Sequence, residues 1–287
     1  MTEDLKNTSY THQNYSSHAG FVPLLTTKIT SLLSPLPTDR IIDLGAGDLV
    51  LTSKLSKHCS YILALDASEE LISSGRELFP KSEYANMESR VVDCRFLESE
   101  DDVVGNGNGN GEGKWDKVFS NAALHWILRD PKTRKNTLSS IHTALKPNGK
   151  FVAEMGGFGN IAEVHVAITS ALKNRGIPIE KIRNVNPWFF PSVQHMKGLL
   201  EDVGFEVEMI ESEYRPTELS VEDGNGEGGV KAWIEMFGQR FLELVREEER
   251  GVVAGEARDL LEGAARREDG RWVVGYVRLR WVAVKKA

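Results

Sequence analysis

The chain has 287 residues and a mass of 32.0 kDa, with 40% apolar and 27% charged residues. Lys and Arg number 35 against 42 Asp and Glu, a net charge of −7 that argues against a general electrostatic grip on nucleic acid or an anionic membrane. The polar start Met1–Gln13, the lack of an apolar run of about 18 residues and two cysteines without paired-ligand spacing, Cys59 and Cys94, lead us to expect a soluble cytoplasmic protein with no targeting segment, no disulfide framework and no metal site.

Phe21, Leu25, Ile29 and Leu32 fall on one face of a helix that ends before Pro35. A short strand, Arg40–Leu44, runs into Gly45-Ala46-Gly47-Asp48 and a helix from Leu49 to about Lys57. The strand Tyr61–Leu65 ends at Asp66, and Ser68 is placed to cap a helix reaching Phe79. Arg90–Val92 is a third strand ending at Asp93. Residues 101–113, with alternating Gly and Asn from Gly105, read as a disordered surface insertion. A fourth strand, Lys117–Ser120, precedes a helix with Leu138, Ile141 and Leu145 on its buried face, and a fifth runs from Lys150 to Met155. Strands alternating with helices imply right-handed parallel crossovers and an α/β, doubly wound, three-layer fold.

Beyond this alternation, helices are expected at Ile161–Lys173 and Ser192–Val203 and a strand at Phe205–Ile210. After a second flexible patch, Asp223–Gly229, one helix is expected from Val230 to Arg246, with Trp233, Phe237, Phe241 and Val245 in line. The ending Arg271–Val284 has strand period and is expected to join Phe205–Ile210 at a sheet edge, with Arg278 and Arg280 on a solvated face. The whole is expected to be one domain, its core about 15–160, 204–210 and 271–284, with a helical cap formed by 161–203 and 230–267.

Asp43, Gly45, Gly47 and Asp66 form the most informative cluster. A glycine turn between first strand and helix lets a ligand approach the backbone, and a carboxylate ending the second strand suits a ribose. Together they point to an adenosine-containing cofactor. A nicotinamide fingerprint would require Gly or Ala at Val50 and has no need of an acid at Asp43.

Ile41-Ile42-Asp43-Leu44-Gly45-Ala46-Gly47-Asp48 resembles the nucleotide-binding loop of class I S-adenosylmethionine-dependent methyltransferases. Leu63–Ser68, Val92-Asp93-Cys94, Trp115–Trp126 and Leu145–Phe151 resemble that family's later strand segments. Pro187-Trp188-Phe189-Phe190-Pro191 and Gly270–Arg278 are similar to the trans-aconitate methyltransferase-like group of small-molecule enzymes. The resemblance implies a seven-stranded, mostly parallel Rossmann-like sheet with an antiparallel last strand. It implies that S-adenosyl-L-methionine is held by Asp43, Gly45, Ala46, Gly47, Asp66, Ala67, Asp93, Cys94 and Asn121. Within that set, Asp43 would lie near the methionine amino end, Asp66 would take the ribose, Asp93 the adenine amino group and Asn121 the amino-acid part. His125, Trp126 and Trp188 are the candidate substrate residues, with His125 as candidate proton acceptor. Many family members carry a third glycine where this chain has Leu49, whose side chain would either crowd the turn or pack beneath it. The expected acceptor is a small-molecule carboxylate or hydroxyl oxygen. A malonyl group on an acyl carrier protein and a non-catalytic cofactor- or partner-binding module are the alternatives, and the oligomeric state stays open.

Overall fold

The computed structural model describes residues 26–105, 113–219 and 228–287. Phe21 and Leu25 of the expected first helix, the repetitive centre of the Asn/Gly insertion and Asp223 to Glu227 of the second patch lie outside the described residues.

Seven strands form one sheet: β1 (Arg40–Leu44), β2 (Tyr61–Asp66), β3 (Met87–Val91), β4 (Trp115–Asn121), β5 (Leu145–Gly156), β6 (Phe205–Glu218) and β7 (Val273–Lys285). Their spatial order is β3-β2-β1-β4-β5-β7-β6. β1 pairs in parallel with β2 and β4, β2 with β3, and β4 with β5, whereas β7 runs antiparallel to β5. The central strands read as continuous apolar runs because both faces are covered. On one face Ile41, Ile62, Phe119 and Val152 pack with Ile29 and Leu33 of helix α1 (Thr27–Leu33). On the other, Ile42, Leu63, Val118 and Phe151 pack with Leu138 and Ile141.

In the described residues α2 (Val50–Ser56) follows β1 and α3 (Glu69–Leu78) follows β2. The expected cap of α3 is present: the Ser68 hydroxyl accepts from the Leu71 N–H at 3.2 Å. Asp101–Val104, expected to open the disordered insertion, instead forms a helical turn, α4, because Val103 and Val104 are buried in the core. Then come α5 (Leu124–Ile127) and α6 (Pro131–Ala144) after β4, α7 (Ala162–Asn174) and α8 (Ile179–Asn184), and α9 (Val193–Glu201) before β6.

The chain divides into two compact units. One holds residues 22–158, 189–213 and 278–287 and contains the glycine loop and the ends of β1 to β5. The other, in its described part, holds 159–188, 214–219 and 228–277. Its helices are α7, α8, α10 (Gly229–Phe237), α11 (Gln239–Leu242) and α12 (Glu247–Ala265), and α12 packs on α7 and α10. The single helix expected over Val230–Arg246 is broken at Gly238, where a β-carbon would stand 2.7 Å from the Ile234 carbonyl oxygen.

Two further expectations change at the sheet's end. β6 continues to Glu218, well past Ile210. Arg278 and Arg280, expected to be solvated, are both buried, because β7 is inserted between β5 and β6 and so has a neighbour on each side. Burial is tolerated because the charge is matched. Arg280 gives Nε to Glu154 Oε2 at 2.8 Å and Nη1 to Glu211 Oε1 at 2.7 Å and Glu213 Oε2 at 2.5 Å.

Candidate functional site

The strand order reverses direction between β1 and β4, and in open α/β sheets the crevice beyond the carboxyl ends of such a pair is where ligands bind. The loop after β1 and the segment after β4 flank that point. Gly45 and Gly47 have φ of +72° and +59°, a region glycine enters without steric cost. The two differ in surroundings. A β-carbon on Gly45 would fall 2.1 Å from that of Ala123, so Gly45 is required by close approach of the β4 segment. At Gly47 a β-carbon would meet nothing within 4 Å, leaving open space beside exposed backbone. The N–H groups of Gly45 and Ala46 both donate to the Leu65 carbonyl, at 2.7 and 3.1 Å, which docks the loop on the end of β2.

Leu49 also has positive φ, +63°, and is fully buried. A β-carbon on Gly75 would lie 2.6 Å from the Leu49 side chain, so Leu49 packs down against α3 and away from the turn. Of the two outcomes open for this position, the structure has the second. The glycine of α3 that makes room for it was not singled out in the sequence.

Asp66 carries the loop on its carboxylate. Oδ2 accepts from the Gly47 N–H and Oδ1 from the Ser68 N–H, each at 2.9 Å. Burial raises the Asp66 carboxyl above its ordinary range while these N–H groups pull it back. Among the described residues no Lys or Arg pairs with it. Asp43 is buried at the end of β1, where Oδ2 accepts from the Thr52 hydroxyl at 2.7 Å. Burial pushes its carboxyl up to about 7, with the Thr52 bond opposing and the Asp66 charge adding to the rise. Among the described residues no cation pairs with Asp43 either.

After β3, Asp93 caps the 3-10 turn Cys94–Ser99 and accepts from the Arg95 N–H at 3.1 Å. The Arg95 guanidinium closes on the same carboxylate, with Nη2 to Oδ2 at 2.6 Å. The Cys94 thiol is buried beneath the glycine loop, and burial together with the Asp66 and Asp93 charges drives its pKa upward, so it stays a neutral thiol.

After β4, Asn121 is partly exposed, and among the described residues nothing hydrogen-bonds to its side-chain amide. Ala122, with φ +57°, donates its N–H to the Glu154 carbonyl at 2.8 Å, turning the chain toward the loop. His125 is buried on α5 with Nδ1 facing the Gly156 N–H at 3.5 Å. Burial, then the charge of Arg278, pulls it down to about 3. Its ring lies 5.4 Å from that of Trp126 and 5.7 Å from that of Phe190. Phe189 donates its N–H to the His125 carbonyl at 2.9 Å, with the Arg134 guanidinium 3.6 Å over its ring.

The structure thus brings Asp43, Gly45, Ala46, Gly47, Asp66, Ala67 and Cys94 together at one loop, and Asn121, His125 and Trp126 at the neighbouring strand end. Trp188 is placed otherwise: it packs in the helical unit against His165, Trp233 and Phe241, with ring centroids 5.5 to 6.0 Å away. Thr52 and Arg95 carry contacts the sequence reading missed. A hydroxyl nine residues after Asp43 and an arginine two after Asp93 were the available signals, and neither is distinctive in text alone.

Residues 42–151 match the family described as a methyltransferase domain. An uncharacterized methyltransferase of Schizosaccharomyces pombe is 35% identical over 274 residues, 96% of this chain and 97% of that protein. A second uncharacterized methyltransferase of the same organism is 28% identical over 151 residues, 50% of each chain. Among solved structures, the phosphoethanolamine N-methyltransferase 2 of Haemonchus contortus, in complex with phosphomonomethylethanolamine and S-adenosylhomocysteine, superposes with a TM-score of 0.56 at 18% identity, over 99% of this chain and 60% of that one. The YcgJ protein of Bacillus subtilis gives 0.57 at 13% identity, over 94% and 100%.

Proposed function

Because the chain belongs to the class I S-adenosylmethionine-dependent methyltransferases, we propose that its acceptor is a small carboxylic acid, methylated on an oxygen already ionised at neutral pH. The state of His125 carries this reading. With Nδ1 accepting from the Gly156 N–H, the ring proton sits on Nε2, which then donates and cannot receive. A group held down to about 3 is also far from the range near the working pH where a general base is effective. A hydroxyl or ammonium acceptor needs such a base, whereas a carboxylate, with an ordinary pKa of about 4, does not. The resemblance to the trans-aconitate group supports the same class.

The residues fit the cofactor at the loop and at the second strand. Gly47 presents backbone beside open space, and Asp66 keeps acceptor positions for ribose hydroxyls, since a carboxylate offers about four and two backbone N–H groups occupy it. Asp43, a buried acid with a raised pKa, is complementary to the cofactor's ammonium, which would draw it into the ionised form. Asn121 supplies amide donors and an acceptor to the amino-acid part. When bound, S-adenosylmethionine supplies a methyl group already activated as a sulfonium. This chain's residues then need only align the acceptor oxygen with it and exclude water.

The test is a methyl-transfer screen with di- and tricarboxylic acids, a malonyl thioester, phenols and amines, with products identified by mass spectrometry. Methyl esters of acids, formed at a rate flat between pH 6 and 9, are expected. Turnover of a phenol or amine, at a rate rising with pH, would refute the reading.

A further inference from the structure

We propose that Thr52 is a positioning residue of the cofactor site: its hydroxyl holds one oxygen of Asp43 and leaves the other for the ammonium of S-adenosylmethionine. The inference rests on the amino end of the cofactor lying at Asp43, and it adds a residue of α2 to that contact.

Two other hydroxyls on α2 supply the contrast. Ser53 donates to the Val50 carbonyl and Ser56 to the Ser53 carbonyl, each at 2.9 Å, an ordinary outlet for a hydroxyl inside a helix. Thr52 lies on the same helix, but its Oγ1 donates across to Asp43 Oδ2, at the end of β1, at 2.7 Å. Thr52 is 0% exposed and Asp43 3%, so the bond is shielded from bulk water. Among the described residues no second donor reaches the Asp43 side chain.

This bond has two consequences. It restrains rotation of the Asp43 carboxyl group, with Oδ2 held by α2 and Oδ1 left to meet a ligand. It also favours the ionised form, against the burial and the Asp66 charge that raise this acid. The titratable groups set against Asp43 are Asp66 at the end of β2 and the Cys94 thiol after β3, and the thiol stays neutral. An ammonium pairs with the ionised acid and gains little from the neutral one. Thr52 therefore sets the pH above which Asp43 recognises the amino end.

The experiment compares S-adenosylhomocysteine with its analogue carrying hydrogen in place of the α-amino group, by calorimetric titration of the full chain from pH 5.5 to 8.5. The ratio of the two affinities isolates the amino contact, because Asp66 acts on both ligands alike. In wild type the preference for the amino ligand should rise with pH, with a midpoint near the value of about 7 that burial gives Asp43. Thr52→Val keeps the shape of the side chain and removes the donor. A hydrogen bond to a charged acceptor is worth roughly tenfold or more, which is about one pH unit. The midpoint should move up by that amount, the preference at pH 7 should fall roughly fivefold, and the two chains should draw together toward pH 8.5. Thr52→Ser restores the donor and should restore the wild-type profile.

A Thr52→Val chain with an unmoved midpoint, or one that loses both ligands equally at every pH, would make Thr52 a packing residue and overturn the proposal. Should Thr52→Val fail to fold, a crystal structure of wild type with S-adenosylhomocysteine decides instead. The Thr52 hydroxyl on Oδ2 with the amino nitrogen on Oδ1 supports the proposal, and an amino nitrogen bonded to Oδ2 overturns it. Asp43→Asn tests the reading beneath. A preference and pH profile unchanged in that variant would remove the amino end from Asp43, an outcome distinct from an unmoved midpoint in Thr52→Val.

Discussion

The backbone N–H of Gly47 donates to Oδ2 of Asp66 at 2.9 Å, so the acid expected to receive the ribose also fastens the loop that faces it. Replacing Asp66 by Ala removes both roles. Cofactor affinity should fall by about 10- to 100-fold, the worth of one or two bonds to a charged acceptor. Asp66→Asn keeps an acceptor oxygen and should lie between. Calorimetric titration with S-adenosylhomocysteine checks the order, and an Asp66→Ala chain binding like wild type would remove this acid from the site.

The two loop glycines should fail differently. Gly45→Ala drives a methyl group into Ala123, adding overpacking of about 1–3 kcal/mol to the left-handed backbone cost of about 1–2 kcal/mol, so the unfolding midpoint drops clearly. Gly47→Ala has only the backbone cost, but its methyl group would stand in the open space beside the loop. Its melting curve should stay nearer wild type while its cofactor affinity suffers more. Equal thermal losses in both variants would show the surroundings have been misread.

His125→Ala should leave the rate on a carboxylic acid within about tenfold of wild type, since removal of a true general base costs about 10²-fold or more. Single-turnover rates with saturating cofactor separate the two outcomes.

Stability against pH should reveal two opposed groups. Asp43, raised from 3.8 to about 7, holds in the folded chain a proton that the unfolded chain has lost. Its contribution is full below pH 3.8 and is lost as pH rises through 7. His125, lowered from 6.5 to about 3, has the reverse sign: its contribution is present above pH 6.5 and is lost as pH falls through 3. The two offset each other between about pH 4 and 6.5. In Asp43→Asn the first is gone, so urea midpoints should rise more steeply from pH 5 to 7 than in wild type. Parallel curves would mean that Asp43 is already ionised in the folded chain.

Arg280 is fully buried and serves Glu154, Glu211 and Glu213. Arg280→Met removes the nearest cation from the Glu154 carboxylate, itself 2% exposed, and should cost about 3–5 kcal/mol in urea unfolding. Adding Glu154→Gln should recover part of that loss. A fully additive pair would show that the ion pair is not coupled.

The backbone at the ends of β1 and β2 was legible in the sequence because the signals there are local. A glycine pair after an apolar strand, and an acid ending the next strand, state a backbone conformation and a hydrogen-bonding capacity within a few residues. Gly45, Gly47, Asp66 and the Ser68 cap were recoverable for that reason, as was the alternation that dictates a parallel sheet. Arg280 was not, since an alternating strand reads as half-solvated until its place in the sheet is known, and only the order β5-β7-β6 gives β7 a neighbour on each side. Leu49 likewise announced a possible obstruction, and Gly75, distant in sequence, decides that it packs downward. Asp93 and Arg95 are near neighbours in the text, yet whether the guanidinium folds back onto that acid depends on how the side chain packs. Local backbone chemistry is encoded within a few residues and can be read there. The partner of a buried charge is chosen by packing among segments far apart in the chain, and only the folded structure makes that choice.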